Sequence, residues 1–218
     1  MKQTTGVLLC ILALSGCATT IRSDITVFHE MPSDISGKTY AVFPTEEQEN
    51  SLEYKTYETI VKTHLNKLGL HEAPVLEAEM VVRFDYGIDS GRDVISSSPV
   101  FGKTGYSSAT SRGTVYSHGN QASFSSTTEY TPTFGVVGTQ VTQRTVYTRV
   151  FSLYICKPQP GTHRLQTIYE AEILSEGSSD QLCSVLPTMI ETLFMDFPGE
   201  SGTTKTKHAP RVKQTTEE

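Results

Sequence analysis

The sequence predicts an α+β fold: a two-layer sandwich of a mostly antiparallel sheet with two helices on one face, plus a long Ser/Gly/Tyr-rich β-ribbon or loop excursion. Two segments, residues 50–68 and 182–194, repeat apolar residues with the period of a helix. Other segments alternate apolar and polar residues as half-buried strands do, and residues 90–142 are dense in serine, threonine and glycine. Elements with one apolar face each bury those faces against one another, which gives two layers.

The first three elements are two short strands and a helix. Strand formers on either side of the turn-rich stretch MPSDISG predict strands at residues 25–28 and 38–43. The helix is predicted at residues 50–68, where one apolar stripe is formed by Tyr57, Ile60, Val61, His64, Leu65 and Leu68. Asn50 and Glu53 fit a capping box at its start.

Alternation predicts the later strands. MVVRFDYGI at residues 80–88 alternates strictly, and longer strands are predicted at about 145–155 and 165–174, joined by the turn KPQPGTH. The last helix contains Pro187, so either its regular part begins near Ser184, where a first-turn proline is tolerated, or the helix kinks.

The stretch at residues 90–142 differs in composition from the rest of the chain. It has scattered tyrosine and phenylalanine and few charges. Two alternatives are an extended hairpin with small polar and aromatic residues, and a mobile low-complexity insertion. The ribbon is favoured because strand formers outnumber proline and charged residues. A long connection of this kind is where binding is expected.

The N-terminus reads MKQTTGVLLCILALSGC. Its apolar run, residues 6–14, is too short to cross a bilayer but suits the central region of a secretory signal peptide. Leu14-Ser15-Gly16-Cys17 resembles a bacterial lipobox, so we expect cleavage before Cys17 and attachment of acyl chains, palmitate among them, to that cysteine. Ala18 in place of aspartate favours the outer membrane over the inner one.

The expected organisation follows from these features. Residues 1–16 are a signal peptide, 17–24 a lipidated tether, and 25–199 a single α+β domain with 90–142 as an extended insertion. Residues 200–218 are polar and are expected to be a disordered tail. The domain would then face the periplasm, held at the outer membrane by its N-terminal lipid.

Two cysteines remain once Cys10 leaves with the signal and Cys17 is acylated. An oxidising compartment permits a disulfide between Cys156 and Cys183. The predicted strands place them at opposite ends of the sheet, beyond the Cα separation of about 7 Å that a disulfide allows. Two buried thiols are therefore favoured over a bridge.

Several segments together resemble a known family. KTYAVFP, a helix ending LNKLGL, MVVRFDYGI, TVYTRVFSLYI and a helix ending LFMDFPG follow one another behind the lipobox. This order resembles bacterial envelope lipoproteins with the domain of unknown function 4136, over about residues 25–199. The resemblance implies a small periplasm-facing α/β domain on a lipid anchor and brings no catalytic residues.

A search for metal and cofactor chemistry predicts none. His29-Glu30 and His71-Glu72 begin like the metalloprotease motif H-E-x-x-H, but neither has the second histidine, and a proline follows closely in both. His64 lies on the apolar helix stripe and is interpreted as a histidine at the edge of the core. No phosphate-binding or dinucleotide-binding glycine motif is present, so no cofactor is predicted.

Catalytic groups and nucleic-acid binding are also not predicted. The sequence has no G-x-S-x-G or S-x-x-K motif. Asp85 and Asp89 are about 13 Å apart along one strand, too far for a glycosidase pair. The net charge of −6 argues against a nucleic-acid partner.

The functional expectation is a non-catalytic binding or assembly module of the envelope. It would act on an envelope protein partner through a sheet edge or through residues 90–142. The alternative is a hydrolase of envelope glycan or peptide whose active site matches no motif.

Overall fold

The computed structural model describes residues 20–159, 161 and 164–211, and within them the chain forms eight strands and two α-helices. A 3₁₀ turn at Leu182–Ser184 precedes the second helix. The strands are β1 (Thr20–His29), β2 (Thr39–Val42), β3 (His71–Glu72), β4 (Met80–Ile88), β5 (Arg92–His118), β6 (Gln121–Pro158), β7 (Leu165–Gly177) and β8 (Thr203–Pro210), and the helices are α1 (Leu52–Lys67) and α2 (Leu186–Phe194).

The strands belong to one mixed sheet. Their order is β3-β2-β4-β6-β7-β1-β8, and β5 pairs with β6 outside this path. The short strand β2 runs parallel to both β3 and β4, while the other neighbours are antiparallel.

The predicted α+β two-layer sandwich with a mostly antiparallel sheet is wrong. Strand accounts for 59% of the structure and helix for only 15%, so the sheet dominates the fold. Two segments of the chain raise the fraction of residues in strands. The excursion predicted at residues 90–142 forms most of two very long strands, and part of the predicted tail adds β8. Parallel pairing of β2 with β3 and β4 makes the sheet mixed. The alternation of apolar and polar residues does not show whether a strand runs parallel or antiparallel to its neighbour.

The described residues divide into two compact units. The first, which we call the ribbon, is Arg92–Val146 and consists of β5 paired with the first part of β6. The second, the sheet unit, contains the other described residues, including both helices and the second part of β6.

Helix α1 begins where a side chain accepts a hydrogen bond from a backbone N–H of its first turn. The N-cap is Ser51, whose Oγ accepts a hydrogen bond from the backbone N–H of Tyr54 at 3.1 Å. The predicted cap at Asn50 is therefore wrong by one residue. Glu53 instead accepts a hydrogen bond from the Tyr57 hydroxyl at 2.9 Å. The buried stripe of α1 is Tyr54, Tyr57, Val61 and Leu65.

Helix α2 resolves the two alternatives left by Pro187. Its regular part begins at Leu186, so the proline lies in the first turn, where the missing N–H costs nothing. The residues before it adopt the 3₁₀ turn. The helix packs against α1 and against β1, β7 and β8.

One hydrophobic core lies between the helices and the sheet. Alternate residues of the central strands reach it, such as Phe84 on β4, Leu153 on β6 and Ile173 on β7, each at most 1% exposed. The ring of Phe84 stacks on that of Tyr54, with centroids 4.4 Å apart and planes 3° apart. The only buried hydrophobic residue of the ribbon is Val146, at its base, which is 7% exposed.

Both ends of the predicted domain differ from the structure. Strand β1 begins at Thr20, inside the predicted tether, because Ile21 and Ser23 continue the buried alternation of Ile25. The polar Ser23 hides this pattern in the sequence. Strand β8 lies within the tail predicted to be disordered, pairs with β1 along its length, and brings Pro210 opposite Thr20. An edge strand needs little apolar content because one side of its backbone remains unpaired.

Candidate interaction surface

The ribbon is a single long antiparallel hairpin. Its strands pair from Arg92 opposite Val146 to His118 opposite Gln121. The turn between them is Gly119-Asn120, and Gly119 has φ of +62°, as the first central residue of a type II′ turn requires. Of the two alternatives for residues 90–142, the structure therefore forms the extended hairpin.

The outer half of the ribbon has one face without charge. Residues directly opposite each other in an antiparallel pair share a face, so the register assigns Val115 and Phe124 to one side, together with Ala109 and Tyr130. We call this side the apolar face, and its members are Ala109, Ser111, Gly113, Val115, Ser117, Ala122, Phe124, Ser126, Thr128 and Tyr130. The opposite side carries Arg112, His118 and Glu129.

The apolar side chains on this face are exposed to solvent. Val115 is 64% exposed, Phe124 69% and Tyr130 56%. Gly113 shapes the surface, since a Cβ there would lie 2.4 Å from the Phe124 ring. The ring thus lies across the glycine backbone, and any larger residue at position 113 would push it away.

The middle of the ribbon is irregular. The register shifts at three places, between Val100 and Phe101, between Lys103 and Gly105, and between Tyr106 and Ser108. Each shift is the signature of a β-bulge, which increases local twist and redirects side chains. Here it brings the Tyr106 and Tyr130 rings to 5.0 Å between centroids, with the Lys103 ammonium 3.7 Å from the Tyr106 ring centroid.

Charge and backbone pairing also distinguish the ribbon. Its basic residues Arg92, Lys103, Arg112 and Arg144 outnumber its acidic ones, Asp93 and Glu129, in a chain whose net charge is −6. Among the described strands, β5 pairs with β6 alone, so no described strand covers its outer backbone edge. An open edge offers N–H and C=O groups to another strand.

His29 and His64 make local contacts that stabilise the fold. His29 Nδ1 accepts a hydrogen bond from the Met31 N–H at 3.2 Å, which leaves Nε2 to donate to the Gly199 carbonyl, also at 3.2 Å. The His64 ring stacks on that of Phe194, with centroids 4.9 Å apart. Burial is the main cause that lowers the pKa of His64, and the nearby Lys67 lowers it further.

The other described histidines, which include His208 on β8, are dispersed. His71 lies in the two-residue strand β3, and His118 is the last residue of β5. Across residues 20–159, 161 and 164–211, no three His, Cys, Asp or Glu side chains are grouped so as to hold a metal ion.

Asp85 and Asp89 are held by separate partners. Gln48 donates to Asp85 Oδ1 at 2.9 Å through its side-chain amide. Asp89 Oδ1 accepts from the backbone N–H groups of Gly91 and Thr148, at 3.0 and 2.9 Å. These bonds fix the chain at the end of β4.

The predicted lipidation site, Cys17, lies outside the described residues. Cys156 and Cys183 are not joined by a disulfide. Cys156 is buried, but Cys183 is exposed, so the prediction of two buried thiols is wrong for Cys183. The reason is local: Cys183 lies in the 3₁₀ turn before α2 rather than on the buried side of that helix.

A groove of the sheet unit beside His29 is lined mainly by apolar residues. Its polar side chains are His29 and Ser33, and both ring nitrogens of the histidine already have partners. The groove is lined by His29, Met31, Pro32, Ser33, Ile35, Leu68, Phe197 and Pro198. Within the described ranges, neither helix combines the length and apolar character needed to cross a membrane.

Comparison with known proteins gives a family and similarities to distant solved structures. The model of the domain of unknown function DUF4136 matches residues 28–199. A PDZ domain protein from Parabacteroides distasonis is 14% identical to this chain, with a TM-score of 0.41. The match covers 87% of this chain and 40% of the PDZ domain protein. The PelC dodecamer from Paraburkholderia phytofirmans is 14% identical with a TM-score of 0.36, covering 78% and 93% respectively. No curated protein matches the chain.

Proposed function

The chain belongs to the DUF4136 family, and from that premise we propose that it is a lipid-anchored envelope lipoprotein whose ribbon binds another envelope protein. The match to residues 28–199 confirms the family resemblance seen in the sequence. We propose that the protein acts without catalysis, as a binding or assembly module facing the periplasm.

The observation that carries the proposal is the exposed apolar face of the ribbon. Isolated two-stranded ribbons are at best marginally stable in water. Burying an aromatic or large aliphatic side chain contributes about 1.5–3 kcal/mol. Val115, Phe124 and Tyr130 are all more than half exposed, so a partner that covers this face gains that free energy and stabilises the hairpin.

The chemistry of the ribbon defines the partner that suits it. The open edge of β5 favours a protein segment that adds a strand, because main-chain hydrogen bonds then form along the edge. The apolar face favours apolar side chains at alternate positions of that segment. The basic residues of the ribbon favour a partner with net negative charge, which speeds association.

We further propose that Cys17 carries the lipid and that the anchor is at the outer membrane. The support is the apolar run before Leu14-Ser15-Gly16-Cys17 and the alanine that follows the cysteine. More than one acyl chain is needed for stable anchoring, since a single chain binds a bilayer only marginally.

Cys17→Ser is expected to release the protein from membranes, because it removes the acceptor of the acyl chains. Fractionation of cells after a high-salt wash, with immunoblotting of membrane and soluble fractions, measures the change. Cys183→Ser, which alters an exposed thiol of the sheet unit, serves as the control and should stay with the membrane. A Cys17→Ser protein that still sediments with membranes would rule out lipidation as the anchor.

Crosslinking from the two faces of the ribbon tests the proposed partner site. Ser126 lies on the apolar face opposite Gly113, and its neighbour Ser125 lies on the other face opposite Thr114. A photocrosslinking amino acid at position 126 should give a discrete adduct in intact cells, and one at position 125 should give at least about tenfold less.

A matched pair of substitutions supplies the control. Phe124→Ser should abolish the adduct from position 126, and Tyr116→Ser should preserve it, although Tyr116 is 64% exposed and close in sequence. Equal adducts from both faces, or an adduct that survives Phe124→Ser, would contradict binding through the apolar face. Absence of any adduct from either position would also reject it.

A further inference from the structure

Three polar side chains form a row on the buried face of the sheet. Arg149 on β6 pairs in register with Ser175 on β7. Ser23 on β1 and Ser175 flank the direct partners Asp24 and Leu174, so continuing the register places these two serines opposite each other. All three occupy the same alternate positions as the core residues Ile25, Ile173 and Phe151.

The row is almost completely shielded from solvent. Ser23 is 1% exposed, Ser175 2% and Arg149 3%. The hydroxyls of both serines, and Nε and Nη2 of Arg149, are buried and have no hydrogen-bond partner among the described residues. A buried cation is normally paired, because leaving it without a counter-charge costs far more than leaving a neutral group unpaired.

One like charge and one opposite charge act on the guanidinium. Burial is the main cause that lowers the pKa of Arg149, and Arg211 lowers it further, while Asp89 opposes both. Asp89 also accepts hydrogen bonds from the N–H groups of Gly91 and Thr148.

The geometry of the guanidinium specifies a ligand class. Nε and Nη2 form the side-on edge of arginine, whose two parallel N–H groups match two oxygens of a carboxylate or phosphate. Nη2 lies against Gly177, where a Cβ would come within 2.5 Å of it, so only glycine fits beside the guanidinium. The hydroxyls of Ser175 and Ser23 extend the row of donors along the same face.

We propose that Arg149, Ser175 and Ser23 form a buried binding site for a compact oxyanion, either a phosphate or a carboxylate. Arg149 binds two of its oxygens through the side-on edge, and the serine hydroxyls donate to the anion. The anion supplies hydrogen-bond acceptors to the guanidinium edge and to the two hydroxyls, and it thereby links β1, β7 and β6. The site is separate from the ribbon and does not depend on the function proposed for it.

Thermal unfolding of the purified protein in inorganic phosphate tests the site. Against sodium chloride at equal ionic strength, the unfolding midpoint should rise with phosphate concentration, by about 5 °C near saturation. Acetate is run in parallel: a larger rise in acetate assigns the site to carboxylates, and a larger rise in phosphate assigns it to phosphates.

Variants distinguish this site from anion binding elsewhere. Arg149→Met removes the charge and keeps an apolar chain, so it should fold and lose the rise in both anions. Ser175→Ala keeps the arginine and should raise the concentration needed for half of the effect by about tenfold. If Arg149→Met does not fold, Ser175→Ala and Ser23→Ala decide by that shift alone. No rise for the native protein in either anion, or a rise unchanged in all the variants that fold, would overturn the proposal.

Discussion

Replacing residues 93–145 with an Asn-Gly turn is expected to abolish partner binding and to leave the sheet unit folded. Arg92 and Val146 are direct partners at the base of the ribbon, so a two-residue turn can join them without changing the register. The only buried hydrophobic residue of the ribbon is Val146, and this variant keeps it. The unfolding midpoint, measured by circular dichroism, should therefore move by less than about 3 °C, a change of at most about 1 kcal/mol.

Partner binding by the same variant should fall to background. The measurement is co-purification after crosslinking in cells, with the full-length protein as reference. The control is the full-length protein with Tyr116→Ser, which alters the hairpin outside the apolar face and should still bind the partner. Retention of the partner by the shortened protein would move the binding surface to the sheet unit, and loss of cooperative unfolding would show that the ribbon contributes to the core.

Phe84→Ala is expected to have the largest effect on stability of any single substitution considered. Phe84 is 1% exposed, stacks on Tyr54, and lies 5.7 Å from the Phe151 ring between centroids. Removing a buried phenylalanine side chain costs about 3–5 kcal/mol through lost burial and the cavity left behind. Domains of this size have a free energy of unfolding of only about 5–15 kcal/mol, so this loss is a large fraction of it.

Urea denaturation measures this loss as a lower midpoint with an unchanged slope. Phe101→Ala is the matched control, because Phe101 is 71% exposed on the ribbon, and its free energy of unfolding should change by less than about 0.5 kcal/mol. A Phe84→Ala protein as stable as the control would mean that this ring is not part of a tightly packed core.

Sequence patterns located the elements whose apolar residues repeat regularly. The strand predicted at residues 80–88 matches β4, and the predicted helix at residues 50–68 contains α1, because in both cases the repeat is the burial pattern itself. The patterns failed where burial is slight. Strand β8 has one buried residue, Ala209, and is otherwise polar, so its composition resembles that of a disordered tail.

The sequence predicted which segment contains the candidate interaction surface, but not which of its side chains share a face. Composition identified residues 90–142 as the expected binding segment, yet the apolar face depends on where the hairpin turns. Once Gly119-Asn120 is known to be the turn, Val115 and Phe124 follow on one side by counting. Nothing in the composition of the stretch marks that turn among its many glycines.

The row at Arg149 was missed for a different reason. Arg149 occupies the same alternate positions as Phe151, Leu153 and Ile155, so the alternation of β6 was a signal that could have marked it as a buried charge. The two serines come from β1 and β7, which are distant in sequence and are brought beside it only by the order of the strands. No local pattern joins the three.

The pairing of Thr20 with Pro210 limits where a fluorescent protein or affinity tag can be fused. Neighbouring strands are about 4.8 Å apart, so the chain that enters at Thr20 and the chain that leaves at Pro210 share one corner of the sheet. Cys17 is three residues from Thr20 and, at about 3.6 Å per residue, within roughly 11 Å of it. With lipid on that cysteine, a fusion placed directly after Pro210 would crowd the headgroups, so a long polar spacer or an internal insertion suits labelling better.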